Sequence, residues 1–168
     1  MKKAIVWGVN LGFVDKRGCP SEMHVCEGLI YPNLYFAKKF GAVYWDHCWK
    51  VSEKIRKSVP MSGYIYAGKN VYDVPYERRG TICFRATIKK ILTLEELLEN
   101  SEELKYVPEW RKQCLNGVWN DGTEHERSPT WFKLSHIKPL SRGYSPREFG
   151  INADFVRRGV YVEDKNWR

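Results

Sequence analysis

The sequence predicts an α+β domain built on a curved, barrel-like mixed sheet flanked by helices. Three observations carry that expectation. Strand-like and helix-like patterns follow one another without the regular βαβ alternation of a doubly wound sheet. The longest alternating run, "TICFRATIKKI" at 81–91, sets Ile82, Phe84, Ala86 and Ile88 against Cys83, Arg85, Thr87 and Lys89, the period-two pattern of a half-buried strand. The 168 residues, 43% of them hydrophobic, suit one domain over residues 1–168, with no repeat, low-complexity tract or linker to divide them.

The elements follow in order. Ala4 to Val9 is a β-rich run and the first expected strand. Gly12 to Pro32 mixes glycine and proline with little periodicity and reads as a long loop. Asn33 stands where it would cap a short helix, "LYFAKKF", which Gly41 ends. "GAVYWDHCWKV" at 41–51 packs Tyr44, Trp45 and Trp49 around Asp46, His47 and Cys48, and the residues leave open a core turn or a recognition pocket. Val51 and Ile55 then lie one turn apart on a basic helix stopped by Pro60, and "GYIYAG" at 63–68 is a strand. Beyond the long strand, Thr93 and Glu96 have the spacing of a capping box and begin an acidic helix. Residues 106–128 read as irregular. "TWFKLSHIK" at 130–138 is a strand closed by Pro139, and "FVRRGVYVED" at 155–164 gives a turn or short helix and a last strand.

The formal net charge is +8 and the pI is near 9.2, which favours a polyanionic partner. Seven tryptophans and ten tyrosines accompany that charge, and basic residues beside aromatic faces are how unpaired bases are held. No apolar run approaches a membrane span, so no membrane partner is expected. Cys19, Cys26, Cys48, Cys83 and Cys114 are odd in number and irregular in spacing, which points to an intracellular, cytoplasmic protein rather than a disulfide framework.

Single motifs decide little. "GYIYAGKN" at 63–70 is close to a phosphate-binding loop, but Asn70 replaces the magnesium-binding hydroxyl and no helix pattern follows, so a strand and a turn at Gly68 is the better reading. Cys19, His24 and Cys26 lack a fourth zinc ligand at a suitable spacing, so no metal is expected. "EHER" at 124–127 has no second acidic cluster beside it and reads as a polar loop. The pairs Arg78–Arg79 and Arg157–Arg158 are solvated surface if scattered and a phosphate track if they share a face.

The order of four segments resembles the YTH and EVE group of the PUA-like superfamily. These are "KAIVWGVN" at 3–10, "GAVYWDHCWKV", "SGYIYAGKN" followed by "GTICFRATIKKI", and "LNGVWNDG" leading to "PTWFKLSHIKPL". The resemblance implies a barrel-like fold that holds one flipped, methylated base in an aromatic cage. Trp45 and Trp119 match the two cage tryptophans, Asp46 the position beside the first, and Asn10 the first-strand contact to the base edge. Glu124 stands where a third wall is usual, so Trp49, Tyr66 or Trp131 would close or rim the cage. Related domains sit at the N-terminus of McrB-type restriction subunits, which implies a fused GTPase motor and a separate nuclease as partners. The expectation is thus a non-catalytic reader of modified nucleic acid, by preference N6-methyladenine in DNA, without a cofactor. The alternatives are an RNA-binding domain of the same superfamily and a small enzyme acting on nucleotides or RNA through Asp46 and His47.

Overall fold

The computed structural model describes residues 2–9, 29–119 and 122–168. Asn10, Cys19, His24, Cys26 and most of the expected loop at 12–32 lie outside the described residues. Six strands form one mixed sheet: β1 (Lys3–Val9), β2 (Val43–His47), β3 (Met61–Ala67), β4 (Thr81–Thr93), β5 (Thr130–Tyr144) and β6 (Val160–Glu163), in the order β2-β5-β4-β3-β1-β6. Among the described residues, β1 and β3 are the one pair that runs parallel. The helices are α1 (Tyr31–Phe40), α2 (Glu53–Arg56), α3 (Leu94–Leu98), α4 (Ser101–Leu104) and α5 (Lys112–Asn116), with short 3-10 turns between some of them. The architecture is α+β, and among the described residues no helix is long and apolar enough to cross a membrane.

The sheet curls strongly. Strands in a sheet lie about 4.8 Å apart, so β1 and β5, three steps apart, would be separated by roughly 14 Å if the sheet were flat. Yet the rings of Trp7 on β1 and Phe132 on β5 meet edge to face at 5.5 Å, and Trp7 reaches Trp45 on β2 at 6.0 Å. Register shifts supply the bend: one between β3 and β4 at Ile65/Tyr66, and three between β4 and β5. At one of these irregular stretches His136 takes a positive φ of 53°.

Alternation sorts the side chains to two faces. Ile5, Trp7, Val9, Val43, Trp45, Ile65, Ile88, Phe132 and Leu134 fill the concave face, joined by Leu34 and Ala37 from α1 and by Ile30 just before it. Gly63 is required there. A Cβ on it would stand 2.6 Å from the Trp7 ring, so only glycine lets β1 and β3 pair with the indole between them. On the convex face, one cluster packs Tyr64, Tyr66 and Leu140 under the C-terminal segment, where Phe149 stacks on Trp167 at 3.7 Å. A second packs Tyr44 and Trp131 under α3 to α5.

Several expectations change. Residues 43–47 form a strand rather than a turn, paired along β5 from Val43↔Leu134 to His47↔Thr130. Helix α1 starts at Tyr31 with Pro32 in its first turn and no side-chain cap, while Asn33 lies inside it and donates from Nδ2 to the Leu29 carbonyl. The Thr93–Glu96 capping box forms, but the acidic helix breaks after Leu98 and restarts at Ser101. Residues 109–116, expected to be irregular, are helical. Pro139 does not close β5. It pairs with Phe84 beside a register shift, where the missing N–H is tolerated, and the strand continues to Tyr144.

Candidate functional site

A cleft of about 430 Å³ opens where the ends of β1 and β2 meet. Gly8 and Val9 form its floor, Trp45, His47 and Trp49 its aromatic side, and Arg157 and Arg158 approach from the segment before β6. Arg111 and Ser128 complete the wall beside Asp46.

Each wall residue is placed by its element. Trp45 and His47 point to the concave face by strand alternation and are 4% and 7% exposed. Trp49 lies just beyond the strand, half-buried, with its indole stacked on the His47 ring at 4.5 Å and 24°. Gly159 closes on the far end of that indole, where a Cβ would sit 2.5 Å from the ring. Trp49 is therefore held upright between β2 and the chain entering β6.

A buried polar network backs the wall. Arg111 donates from Nη1 to Asp46 Oδ1 at 2.6 Å and from Nη2 and Nε to Asn33 Oδ1 at 2.7 and 3.1 Å. Ser128 Oγ donates to Asp46 Oδ2 at 2.5 Å. The guanidinium carbon of Arg111 also lies 4.8 Å from the Trp45 ring centroid, a cation–π contact. Burial would raise the Asp46 carboxyl, but the Arg111 charge and the Ser128 hydroxyl outweigh it and hold the group below the usual carboxylate range. His47 goes the other way from an ordinary histidine. Burial lowers it to about 3, with Asp46 opposing and Arg111 adding to the shift. The ring is neutral at physiological pH, and its buried Nε2 has no hydrogen-bond partner.

The sequence-derived residues divide accordingly. Trp45, Asp46, Trp49, Arg157 and Arg158 converge on the cleft. Each oxygen of Asp46 already accepts one hydrogen bond, from Arg111 and from Ser128, so the carboxylate is held in the wall of the cleft. Trp119 is not in the cleft wall; it stacks on His125 at 3.8 Å and 15° within its own turn. Tyr66 and Trp131 are buried on the convex face, Trp131 donating from its indole N–H to the Ser128 carbonyl at 2.9 Å. Arg78 and Arg79 are committed to backbone carbonyls, Arg78 to Leu140 and Ser141 and Arg79 to Val74 and Tyr72, so they pin the segment around Tyr76 rather than present a free phosphate track. Sequence reading missed Arg111 and Ser128. Both lie in the stretch read as irregular, and neither a lone Arg in "PEWRK" nor a lone Ser in "ERSPT" carries a signal in sequence.

No family model matches the chain, and no curated protein does. Among solved structures, ASCH from Zymomonas mobilis is similar at 12% identity with a TM-score of 0.43, over 96% of this chain and 89% of that one. A tyrosine-to-phenylalanine variant of the same protein is similar at the same identity and score, over 91% of its length. A likeness this distant says nothing about the cleft.

Proposed function

We propose that the chain is a non-catalytic nucleic-acid-binding module that seats an unpaired base in the cleft beside Trp45 and Trp49, with Arg157 and Arg158 neutralising the adjoining phosphates. The observation that supports this reading is the convergence of two tryptophans and two exposed arginines, distant in sequence, on one concave site. The indole of Trp49 offers a stacking surface, which contributes roughly 1–3 kcal/mol per base. The arginines supply the salt-dependent part of the affinity.

Binding is favoured over turnover by the state of His47. A histidine lowered to about 3 is a poor proton acceptor and an uncharged one at neutral pH, far from the matched value a general base needs. Asp46 is locked into an ion pair with Arg111 and is equally unsuited to proton transfer.

The finer reading is that the base is methylated, with N6-methyladenine in DNA the first choice, and that the module serves a modification-dependent restriction system with a GTPase motor and a nuclease. Its support is the sequence resemblance to the YTH and EVE group. Burying a methyl group contributes only about 0.8 kcal/mol, so discrimination requires a close-fitting wall and a lower cost of extruding the modified base.

The test is a fluorescence-anisotropy panel of DNA and RNA oligonucleotides, methylated and unmodified, with wild type, Trp49→Ala and Arg157→Ala/Arg158→Ala. Binding that falls by roughly tenfold or more in Trp49→Ala, equivalent to the stacking contribution above, supports the cleft. Affinity for every oligonucleotide unchanged in both variants would remove it. Equal affinity for methylated and unmodified strands would leave a base-binding module and discard the modified-base reading.

A further inference from the structure

A groove of about 710 Å³, larger than the cleft, opens at the opposite end of β1, lined by Lys2, Lys3, Ser62, Arg85, Thr87 and Asp164 among others. Between the two lies a third, smaller hollow of about 140 Å³, whose walls include Ile5, Ser52, Ile55 and Gly159. The three share walls. Trp49 lines both the cleft and the small hollow, and Tyr161 lines both the small hollow and the large groove.

The β1–β6 ladder sets their order. Lys3 pairs with Glu163, Ile5 with Tyr161 and Val6 with Val160, so the path descends β1 from Val9 to Lys3 while β6 rises from Val160 to Glu163. Ile5, Trp7 and Val9 are buried on the concave face, so the path keeps to its open edge past Tyr161, which stands beside Ile5, and at the end of β1 it turns to the convex side, where Arg85 pairs with Tyr64. Seven residues of β1 at about 3.3 Å each make a path of roughly 23 Å. Its chemistry changes along its length: arginines and an indole at one end, an exposed tyrosine midway, and Lys2, Lys3 and Arg85 facing the single carboxylate of Asp164 at the other. That carboxylate is itself held by the Tyr64 hydroxyl and the Asn166 backbone N–H. Arg85 is steadied by the Asn166 side chain and the Trp167 carbonyl at 3.2 and 3.1 Å, and by its position over the Tyr64 ring.

We propose that these three hollows form one track for a single-stranded nucleic acid, which leaves the cleft over Trp49, crosses Tyr161 and ends with its phosphates on Lys2, Lys3 and Arg85. The proposal rests on the base-binding reading of the cleft and extends it by naming the substrate class and the footprint. Alternating aromatic platforms and cations are what a flexible strand can follow, because each base offers a stacking face and each linkage a charge. A duplex can seat a base in the cleft only by extruding it, at a cost of a few kcal/mol that a single strand does not bear. The footprint falls near the lower end of the about 4–16 nucleotides covered by small single-strand-binding folds.

The experiment is a length series of unmodified single strands of two to eight nucleotides, and the matching duplex, titrated against wild type, Lys2→Ala/Lys3→Ala and Tyr161→Ala. Wild-type affinity is expected to climb with length and level off near four to six nucleotides, with the duplex at least tenfold weaker. The lysine variant should bind the dinucleotide as wild type does but lose the gain with length. Its log–log salt slope on the longest strand should be shallower by about 1.4, the loss of two phosphate contacts at about 0.7 each. Length-independent affinity, a duplex bound as tightly as the strand, or an unchanged salt slope in the lysine variant would overturn the track while leaving the cleft reading intact. No binding of any strand to wild type would instead bring down the cleft reading, and the track with it.

Discussion

Two buried ionic networks flank neighbouring residues of β2, and they are built differently. At Tyr44, Glu103 accepts from the Tyr44 hydroxyl at 2.7 Å and from Lys90 and Lys133 at 2.6 and 2.9 Å, beneath the helices of the convex face. Two residues on, Asp46 accepts from Arg111 and Ser128 at the rim of the cleft. The first uses two lysines, of which Lys90, 47% exposed, has a flexible stem that lets its charge return to water. The second uses an arginine whose side chain is 1% exposed and whose planar fork binds Asp46 and Asn33 while its face lies over Trp45. The first network fastens helices to a sheet. The second orients an aromatic wall that faces a cavity, with Arg157 and Arg158 lining the same cavity. Buried charge by itself does not mark a site; its neighbours and the open space beside it do.

The comparison can be broken by removing one member of each network. Arg111→Leu leaves Asp46 buried without its cation and should destabilise the fold by about 3–5 kcal/mol, read from chemical denaturation. Glu103→Gln should cost less, about 1–3 kcal/mol, because Lys90 can turn outward and the amide still accepts from Tyr44. Equal losses would mean that the arginine and lysine networks are structurally equivalent.

Acid separates them further. Burial works to raise Glu103, but its hydrogen bonds from Lys90, Tyr44 and Lys133 bring it down to about 2 from an ordinary 4.5. A carboxylate lowered in the folded state gives stability that is full above about 4.5 and is lost as pH falls towards 2. His47 acts in a different window. The unfolded chain takes a proton near 6.5 and the folded chain not until about 3, so stability drains from pH 6.5 downward at about 1.4 kcal/mol per pH unit. Urea midpoints across pH 3–8 should therefore show a slope between 6.5 and 4.5 that vanishes in His47→Gln but survives in Glu103→Gln. A slope retained in His47→Gln would place the titrating group elsewhere. The smallest effect belongs to the cleft rim. Arg157→Ala/Arg158→Ala should change stability by no more than about 0.5 kcal/mol, since both residues are exposed. A larger loss would make them part of the framework rather than of the binding surface.

Trp45 shows how far sequence reading reached. Its segment was recognisable as an aromatic cluster with polar residues wedged in, and four of the cleft's functional side chains lie in or beside it. What the sequence hid was direction. Period-two alternation within "VYWDH" sends Tyr44 to the convex cluster and Trp45 and His47 to the concave one, but five residues are too few to announce a strand without knowing that β5 pairs with them. Trp45 is consequently as much core as wall, and Trp45→Ala would cost packing first. The long strands β3 to β5 and the capping box were legible because each is determined by neighbouring residues. Arg111 and Ser128 were not, and although the Arg157–Arg158 pair stood out, its place beside β2 did not, because these partnerships exist only after the sheet has curled. Trp119 illustrates the converse, since a motif match can name a tryptophan whose ring the fold lays against His125.

The pairing of β1 with both β3 and β6 has a kinetic consequence. Lys3 faces Glu163, so the seam that carries the cleft and the groove joins parts of the chain 160 residues apart. Contacts of such high sequence separation are closed late, after the antiparallel β3–β4–β5 meander has formed from nearer neighbours. On a ribosome adding roughly 5–20 residues each second, β1 waits on the order of 10–30 s for its second partner. The binding surface is then the last part of the molecule to mature. In pulse-labelling hydrogen exchange during refolding, the amides of β1 and β6 should gain protection after those of β4 and β5.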